Sequence, residues 1–453
     1  MKNSLKIKAT NSLMTRFFAI QKAQVRKISL RVLVLTLLVF VNVGATRALP
    51  SYARQTGMSC SACHFSFPEL NSFGRQFKMN GYVLTGMSTI ESTEDSSRIT
   101  RLKLLSTLPL STMVQSSFTH IEKSVPGVQN NSVTLPQQLS VFYAGQVTPH
   151  IGTFIQMTYD GHSFGMDNVD IRYANQAKIG GRNITYGLTL NNNPAVQDVW
   201  NTSPAWRFPS AGSDAAQSPA KSSIIENLGT KVAGLGAYTL YNNFLFAEMT
   251  VYRSAQQGAA NPANTESGSV IQGATPYWRL ALQHQWGKNY LELGTFGIAP
   301  KLYSGGIEGP LDKFTDVGFD CQYEHNLSFG AYTFHSSLIQ ETEYREQVGA
   351  MSDKLNFTSL KVDGNLYLKN GLGGTLGYFY TKGSVDDKVA SWTNKPDSNG
   401  FIAQLEYLPW YNTKFALQYV AYKKFDGTVT NYDMLGRSAS DNSTLYLLVW
   451  LNF

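Results

Sequence analysis

From about residue 98 to its C-terminus the chain alternates apolar and polar side chains with a period of two, and this pattern leaves few folds open. Phe401, Ala403, Leu405 and Tyr407 alternate with a face that carries Gln404 and Glu406. Phe415, Leu417, Tyr419 and Ala421 alternate with Lys414 and Gln418, and Trp278, Leu280 and Leu282 with Arg279, Gln283 and Gln285. Leu360, Val362, Gly364 and Leu366 alternate with Ser359, Lys361, Asp363 and Asn365. Successive side chains of a strand point to opposite faces, so each segment is apolar on one side and polar or charged on the other. A soluble sandwich hides its apolar faces in one shared core and rarely sustains the pattern over so long a stretch. Strands of about ten residues with an apolar outside and a polar inside are the signature of a membrane β-barrel. The 24 Tyr and 25 Phe are enough for aromatic girdles at both interfaces.

Connection lengths alternate too. Short turns are predicted at Thr148–His150, Gly180–Asn183, Asn242–Asn243, Gly287–Asn289, Glu324–Asn326, Lys369–Gly371 and Pro409–Thr413. Longer polar loops separate them, around 121–137, 160–168, 191–229, 255–275, 299–313, 340–354, 382–399 and 425–442. Seven turns and eight loops give about sixteen strands, an even number with both ends on the short-turn side, as in a bacterial porin. Leu445, Leu447, Val449, Leu451 and Phe453 form one face of a closing strand. Loop 191–229 is the longest and holds Trp200, Trp206, Pro194, Pro204 and Pro209, so it is expected to fold inward as a stiff constriction. Cys321 shares the face of Val317, Phe319 and Tyr323 and is expected to face lipid.

The first 48 residues differ in kind. They hold nine Lys/Arg and no Asp/Glu, leaving 29 basic and 31 acidic residues in the rest of the chain. The net charge of +7 therefore marks a leader rather than a nucleic-acid surface. Val32–Val43 is an apolar stretch followed by small residues, the pattern of a secretory signal peptide, and too short for a membrane helix, which needs about 20 residues. Three units follow: a signal peptide at 1–48, a small helical segment at 49–90 and a barrel at 91–453.

The small segment carries the chemistry. Cys60-Ser61-Ala62-Cys63-His64 is a CxxCH motif, the attachment sequence for haem c. Two thiols a fixed short distance apart add across the two vinyl groups, and the adjacent imidazole is held against the iron. A CxxC redox pair or half a zinc site are the alternatives, but no second CxxC and no thioredoxin-like pattern accompany the motif. Pro68-Glu69-Leu70 is predicted to open a helix whose apolar face holds Leu70, Phe73 and Phe77. Gly74 would let a flat macrocycle approach, and Gly81 would end the helix. Met79 is the first choice for the sixth iron ligand. Met58, Met87, His120, His150 and His162 are further candidates.

The run Pro50–His64, followed by Pro68–Lys78 and Gly81-Tyr82, resembles the fused monohaem cytochrome–porins of iron-oxidising bacteria, as does Asn191–Trp206. The resemblance implies a c-type haem held by Cys60, Cys63 and His64 in front of an outer-membrane barrel. It also implies oxidation of extracellular ferrous iron, with the electron passed to a periplasmic c-type cytochrome. A solute porin with a structural or gating haem, and outward electron transfer to an external acceptor, are the alternatives. No tight His/Cys/carboxylate iron site is apparent, although Asp316, Asp320, Glu324, Asp363 and Glu406 could meet a divalent ion in passing.

Overall fold

A computed structural model describes residues 51–84, 108–202, 207–255, 270–303, 308–346, 354–389 and 391–453. The signal peptide and Met87 lie outside the described residues.

Sixteen long strands form one closed antiparallel barrel. They are β3 (Leu110–Ile121), β4 (Ser132–Thr148), β5 (Ile151–Tyr159), β6 (Phe164–Ile179), β7 (Arg182–Asn191), β8 (Val232–Tyr241), β9 (Leu245–Ser254), β11 (Thr275–Trp286), β12 (Asn289–Ile298), β14 (Leu311–Asn326), β15 (Gly330–Tyr344), β16 (Lys354–Leu368), β17 (Leu372–Gly383), β18 (Ser398–Trp410), β19 (Thr413–Lys424) and β20 (Thr444–Asn452). Each pairs with its sequence neighbour. Closure comes from β20 against β3, with Leu447 opposite Phe118 and Asn452 opposite Met113. Closure leaves no unpaired edge, which a sheet in lipid cannot tolerate. Two short strands, β10 (Val270–Ile271) and β13 (Lys301–Tyr303), pair with each other beyond the ends of β11 and β12. They fall within stretches predicted as loops.

The turns and loops follow the predicted alternation. The turn between β14 and β15 sits at 327–329, slightly later than expected, and the one between β18 and β19 narrows to Tyr411-Asn412. Side-chain alternation is equally regular. In β7 and β8, Leu188, Leu190 and Leu235 are exposed, while Thr189 and Asn191 are buried. In β11, Leu280 and Leu282 face out and Arg279 is completely buried. An exposed apolar wall around a polar interior is what a lipid-spanning barrel needs, so this is a porin-like barrel of the outer-membrane type. Cys321 lies between inward-facing Asp320 and Gln322 and therefore points outward, as expected.

In front of the barrel come helix α1 (Ser51–Thr56), a tight turn at Cys60–Ala62, a small hairpin of β1 (His64–Ser66) and β2 (Glu69–Leu70), and helix α2 (Ser72–Met79). The helix expected from Pro68 starts later because Glu69 and Leu70 pair with His64 and Ser66 instead. Asn71 supplies the cap, its side chain accepting from the Gly74 N–H at 2.9 Å. Gly81 at φ +75° stops the helix.

Candidate functional site: an apolar cavity inside a plugged lumen

The N-terminal segment lies inside the barrel. Gln55 donates to the Ala144 carbonyl, and Tyr82 to the Asp170 carboxylate at 2.6 Å. Tyr238 donates to the Met79 carbonyl, and Lys414 to the Phe67 carbonyl at 2.9 Å. Arg75 and Glu324 form an ion pair at 2.6 Å with both side chains buried. The partners belong to strands all round the wall, so the segment is a plug held at many points.

Loop 192–231 fills more of the lumen, as its length and composition suggest. It carries two short helices, α3 (Pro194–Gln197), whose Gln197 carbonyl accepts from Arg172 at 2.7 Å, and α4 (Ile224–Asn227), which docks on inward-facing acids. The Ile224 N–H donates to Glu341 and the Ile225 N–H to Asp316. Trp200 donates to the Tyr290 hydroxyl at 2.8 Å, and Thr202 to Asp320 at 2.7 Å. Trp206 and Pro204 lie outside the described residues.

The acids considered for passing contact with iron are all occupied here. Asp316 holds the loop, Asp320 pairs with Arg279, Glu324 with Arg75, Asp363 with His335 and Glu406 with Lys414. Asp316, Asp320 and Glu324 bind the filling of the lumen to its wall through Ile225, Thr202 and Arg75, while Asp363 and Glu406 pair with residues of neighbouring wall strands. Among the described residues no cluster of three or more His, Cys, Asp or Glu could hold a metal ion.

One apolar cavity of about 230 Å³ lies where plug, wall and loop meet. Cys60, Cys63 and His64 all line it. The turn that presents them is closed by the Cys63 N–H donating to the Cys60 carbonyl at 3.1 Å. Asn71 ties this turn to α2: its side chain donates to the Ala62 carbonyl at 3.0 Å and its backbone N–H to the Cys63 carbonyl at 2.9 Å. From α2 come Phe73, Gly74, Phe77 and Lys78, spaced to share a face, with Leu70 just before the helix. The wall adds Met113, Phe142, Phe154 and Trp450, and α1 adds Tyr52.

Both thiols are free, and burial raises each above the ordinary thiol value, Cys63 to about 11. Burial pushes the His64 imidazole down to about 4 despite the nearby Pro68 and Glu69 backbone. The ring is therefore neutral at ordinary pH, the state in which it can ligate a metal. Its Nδ1 is buried and has no partner in the protein. Two thiols and a neutral imidazole lining one cavity rich in aromatic side chains fit a covalently held haem c.

Other expectations at this site change. Met79 does not line the cavity. It lies 200° round α2 from Phe77 by helix geometry and packs with Trp200, Tyr238 and Phe246. Met58 and Met113 do line it. His120 instead bonds Asn131, His150 lies near the Ala174 carbonyl, and His162 sits in an outer loop. Gly74 has a different reason from the one expected: a Cβ there would collide with the Cys63 carbonyl oxygen, so the glycine lets α2 approach the CxxCH turn.

Sequence reasoning missed Asn71, Arg75, Lys78 and Tyr82. The signal available was charge: Arg75 and Lys78 stand on a helix expected to lie against an apolar group, and such charges need buried partners.

No family model matches the chain, and no curated protein matches it closely enough to count as a relative. Solved structures similar to it are outer-membrane proteins. OmpT of Vibrio cholerae is 9% identical, covering 77% of this chain and 98% of its own, with a TM-score of 0.42. An anion-selective porin from Comamonas acidovorans is 9% identical over 76% of this chain and 98% of its own, with a TM-score of 0.44. The outer membrane channel DcaP of Acinetobacter baumannii is 11% identical over 76% and 96%, with a TM-score of 0.43.

Proposed function

We propose that this porin-like outer-membrane barrel is an electron conduit of the fused cytochrome–porin kind, carrying one haem c on Cys60, Cys63 and His64. The observation that carries the reading is the convergence of these three residues on one aromatic cavity inside a filled lumen. Haem supplies one-electron chemistry when bound. The chain's own residues do the rest. Cys60 and Cys63 provide the two thioether positions, and His64 provides a neutral imidazole for the iron. Phe73, Phe77, Phe142, Phe154 and Trp450 exclude water, and Asn71 fixes the turn to α2.

The donor under this reading is external ferrous iron, which gives up one electron and stays outside as ferric iron. A soluble periplasmic c-type cytochrome accepts that electron at the short-turn end. Cavity-lining residues Ser111, Thr112 and Asn452 lie near the ends of β3 and β20, which places the cavity towards that end. Keeping the ion outside is chemically useful because oxidised iron is sparingly soluble near neutral pH.

The barrel type on its own favours a second reading, a solute porin in which haem is structural or gates the channel. Inward-facing residues of an open porin line water. Here Arg172, Arg279, Glu292, Thr250 and Thr333 are each 0% exposed, which supports the conduit. Anaerobic mixing of the haem-loaded protein with ferrous iron tests the reading. Reduction of the haem absorption is expected, and an unchanged oxidised spectrum would remove the donor assignment.

A further inference from the structure

Among the described side chains, the exposed charge at the short-turn end of the barrel is one-sided. Lys178, Arg182, Lys288 and Lys369 are exposed there, and no Asp or Glu side chain described at this end is exposed. Its acids are spent inward: Glu324 and Glu406 are buried against Arg75 and Lys414.

Strand register separates Lys178 from Arg182, and the other two cations sit on turns. In β6, Asp170, Arg172 and Ala174 face the lumen, and Gln176 continues that face by donating to Asn80 of the plug at 3.2 Å. Lys178 is the next residue of this series, on the aqueous side of the wall. Lys288 and Lys369 lie in the short turns themselves, Lys288 two residues before lumen-facing Tyr290 and Lys369 two residues after lumen-facing Tyr367. Arg182 falls in the other series, with Leu188 and Leu190, and bonds the Tyr241 hydroxyl at 3.2 Å. None of the three lysines forms an ion pair with a described residue.

We propose that Lys178, Lys288 and Lys369 form the docking face for a soluble electron carrier with an acidic surface, rather than a contact with anionic lipid. The proposal rests on the conduit reading and names the charge of its partner. Three cations with no ion pair to a described residue, around the mouth nearest the cavity, would steer an anionic protein to it. Such steering raises association rates by about 10- to 1,000-fold at low salt and fades as salt screens it. Lipid attraction would instead draw on the lipid-facing Arg182.

The test uses the full protein, expressed with a cytochrome-maturation system and purified in detergent, reduced with dithionite and mixed in a stopped-flow instrument with an oxidised soluble c-type cytochrome. One probe is acidic and a second is basic. Changing all three lysines to glutamate (K178E, K288E, K369E) is expected to slow oxidation by the acidic probe about tenfold or more at low salt. The loss should shrink at high salt, and the basic probe should speed up. Arg182→Glu should change neither rate. An unchanged rate with the acidic probe in the triple variant would overturn the docking face, as would an equal loss in Arg182→Glu. Protein that shows no haem absorption before mixing would overturn the conduit reading and this inference with it. Normal haem absorption without a charge effect would sink the docking face alone.

Discussion

Arg75 of the plug and Glu324 of the wall are joined by a 2.6 Å ion pair, and the guanidinium also lies 4.3 Å from the centre of the Tyr290 ring. The same guanidinium donates to the Leu70 carbonyl at 2.7 Å, so one residue connects the wall to the start of α2. Removing Glu324 alone leaves a buried charge without its partner, a loss of about 3–5 kcal/mol. Glu324→Gln is therefore expected to loosen the plug and expose 51–84 to added protease. The double variant Arg75→Met/Glu324→Leu, which removes both charges, should recover much of the protection. Equal protease resistance in wild type and Glu324→Gln would show that the pair does not hold the plug.

A filled lumen should conduct few ions. In planar bilayers the wild-type protein is expected to show far smaller conductance steps than a variant lacking 194–229, which takes away Trp200 and both lumenal helices. Steps of similar size in the two would mean that the loop does not close the pore.

Gly74 is placed to report on the approach of α2 to the CxxCH turn. Its replacement by alanine puts a methyl group against the Cys63 carbonyl oxygen. Overpacking of this kind costs about 1–3 kcal/mol. Gly74→Ala should lower the yield of covalent haem in an otherwise folded barrel, read as haem stain per unit of heat-modifiable protein on gels. Wild-type yield would show that the turn can shift without cost.

Much of the barrel was legible because a membrane barrel writes its geometry into the sequence. A period of two marks the strands, and the difference between Lys369–Gly371 and 191–229 marks the two ends. The CxxCH triplet was legible because its chemistry fixes its spacing. What joins distant segments was not. Nothing near Arg75 in sequence points to Glu324, and nothing near Lys78 points to the Val196 and Asp198 carbonyls that it meets. The helix start failed for a local reason: a proline at a first turn suits a helix, but Glu69 and Leu70 gain more by pairing with β1. Met79 follows Phe77 by two residues on the same helix, so it points away from the cavity that Phe77 lines and packs with Trp200 and Tyr238.

That direction has a spectroscopic consequence. Met79→Leu conserves the packing against Trp200 and Tyr238 and should leave the visible and near-infrared spectra of the haem-loaded protein unchanged. Loss of a methionine–iron charge-transfer band in this variant would return Met79 to the ligand set.

The central claim is that electrons from external ferrous iron cross the outer membrane through the group held at Cys60, Cys63 and His64. Membrane vesicles loaded with a reducible dye, carrying either the wild-type protein or Cys60→Ala/Cys63→Ala, test it directly when ferrous iron is added outside without oxygen. Rapid dye reduction in wild-type vesicles and background reduction in the variant is the expected result. Equal dye reduction in both would contradict the claim.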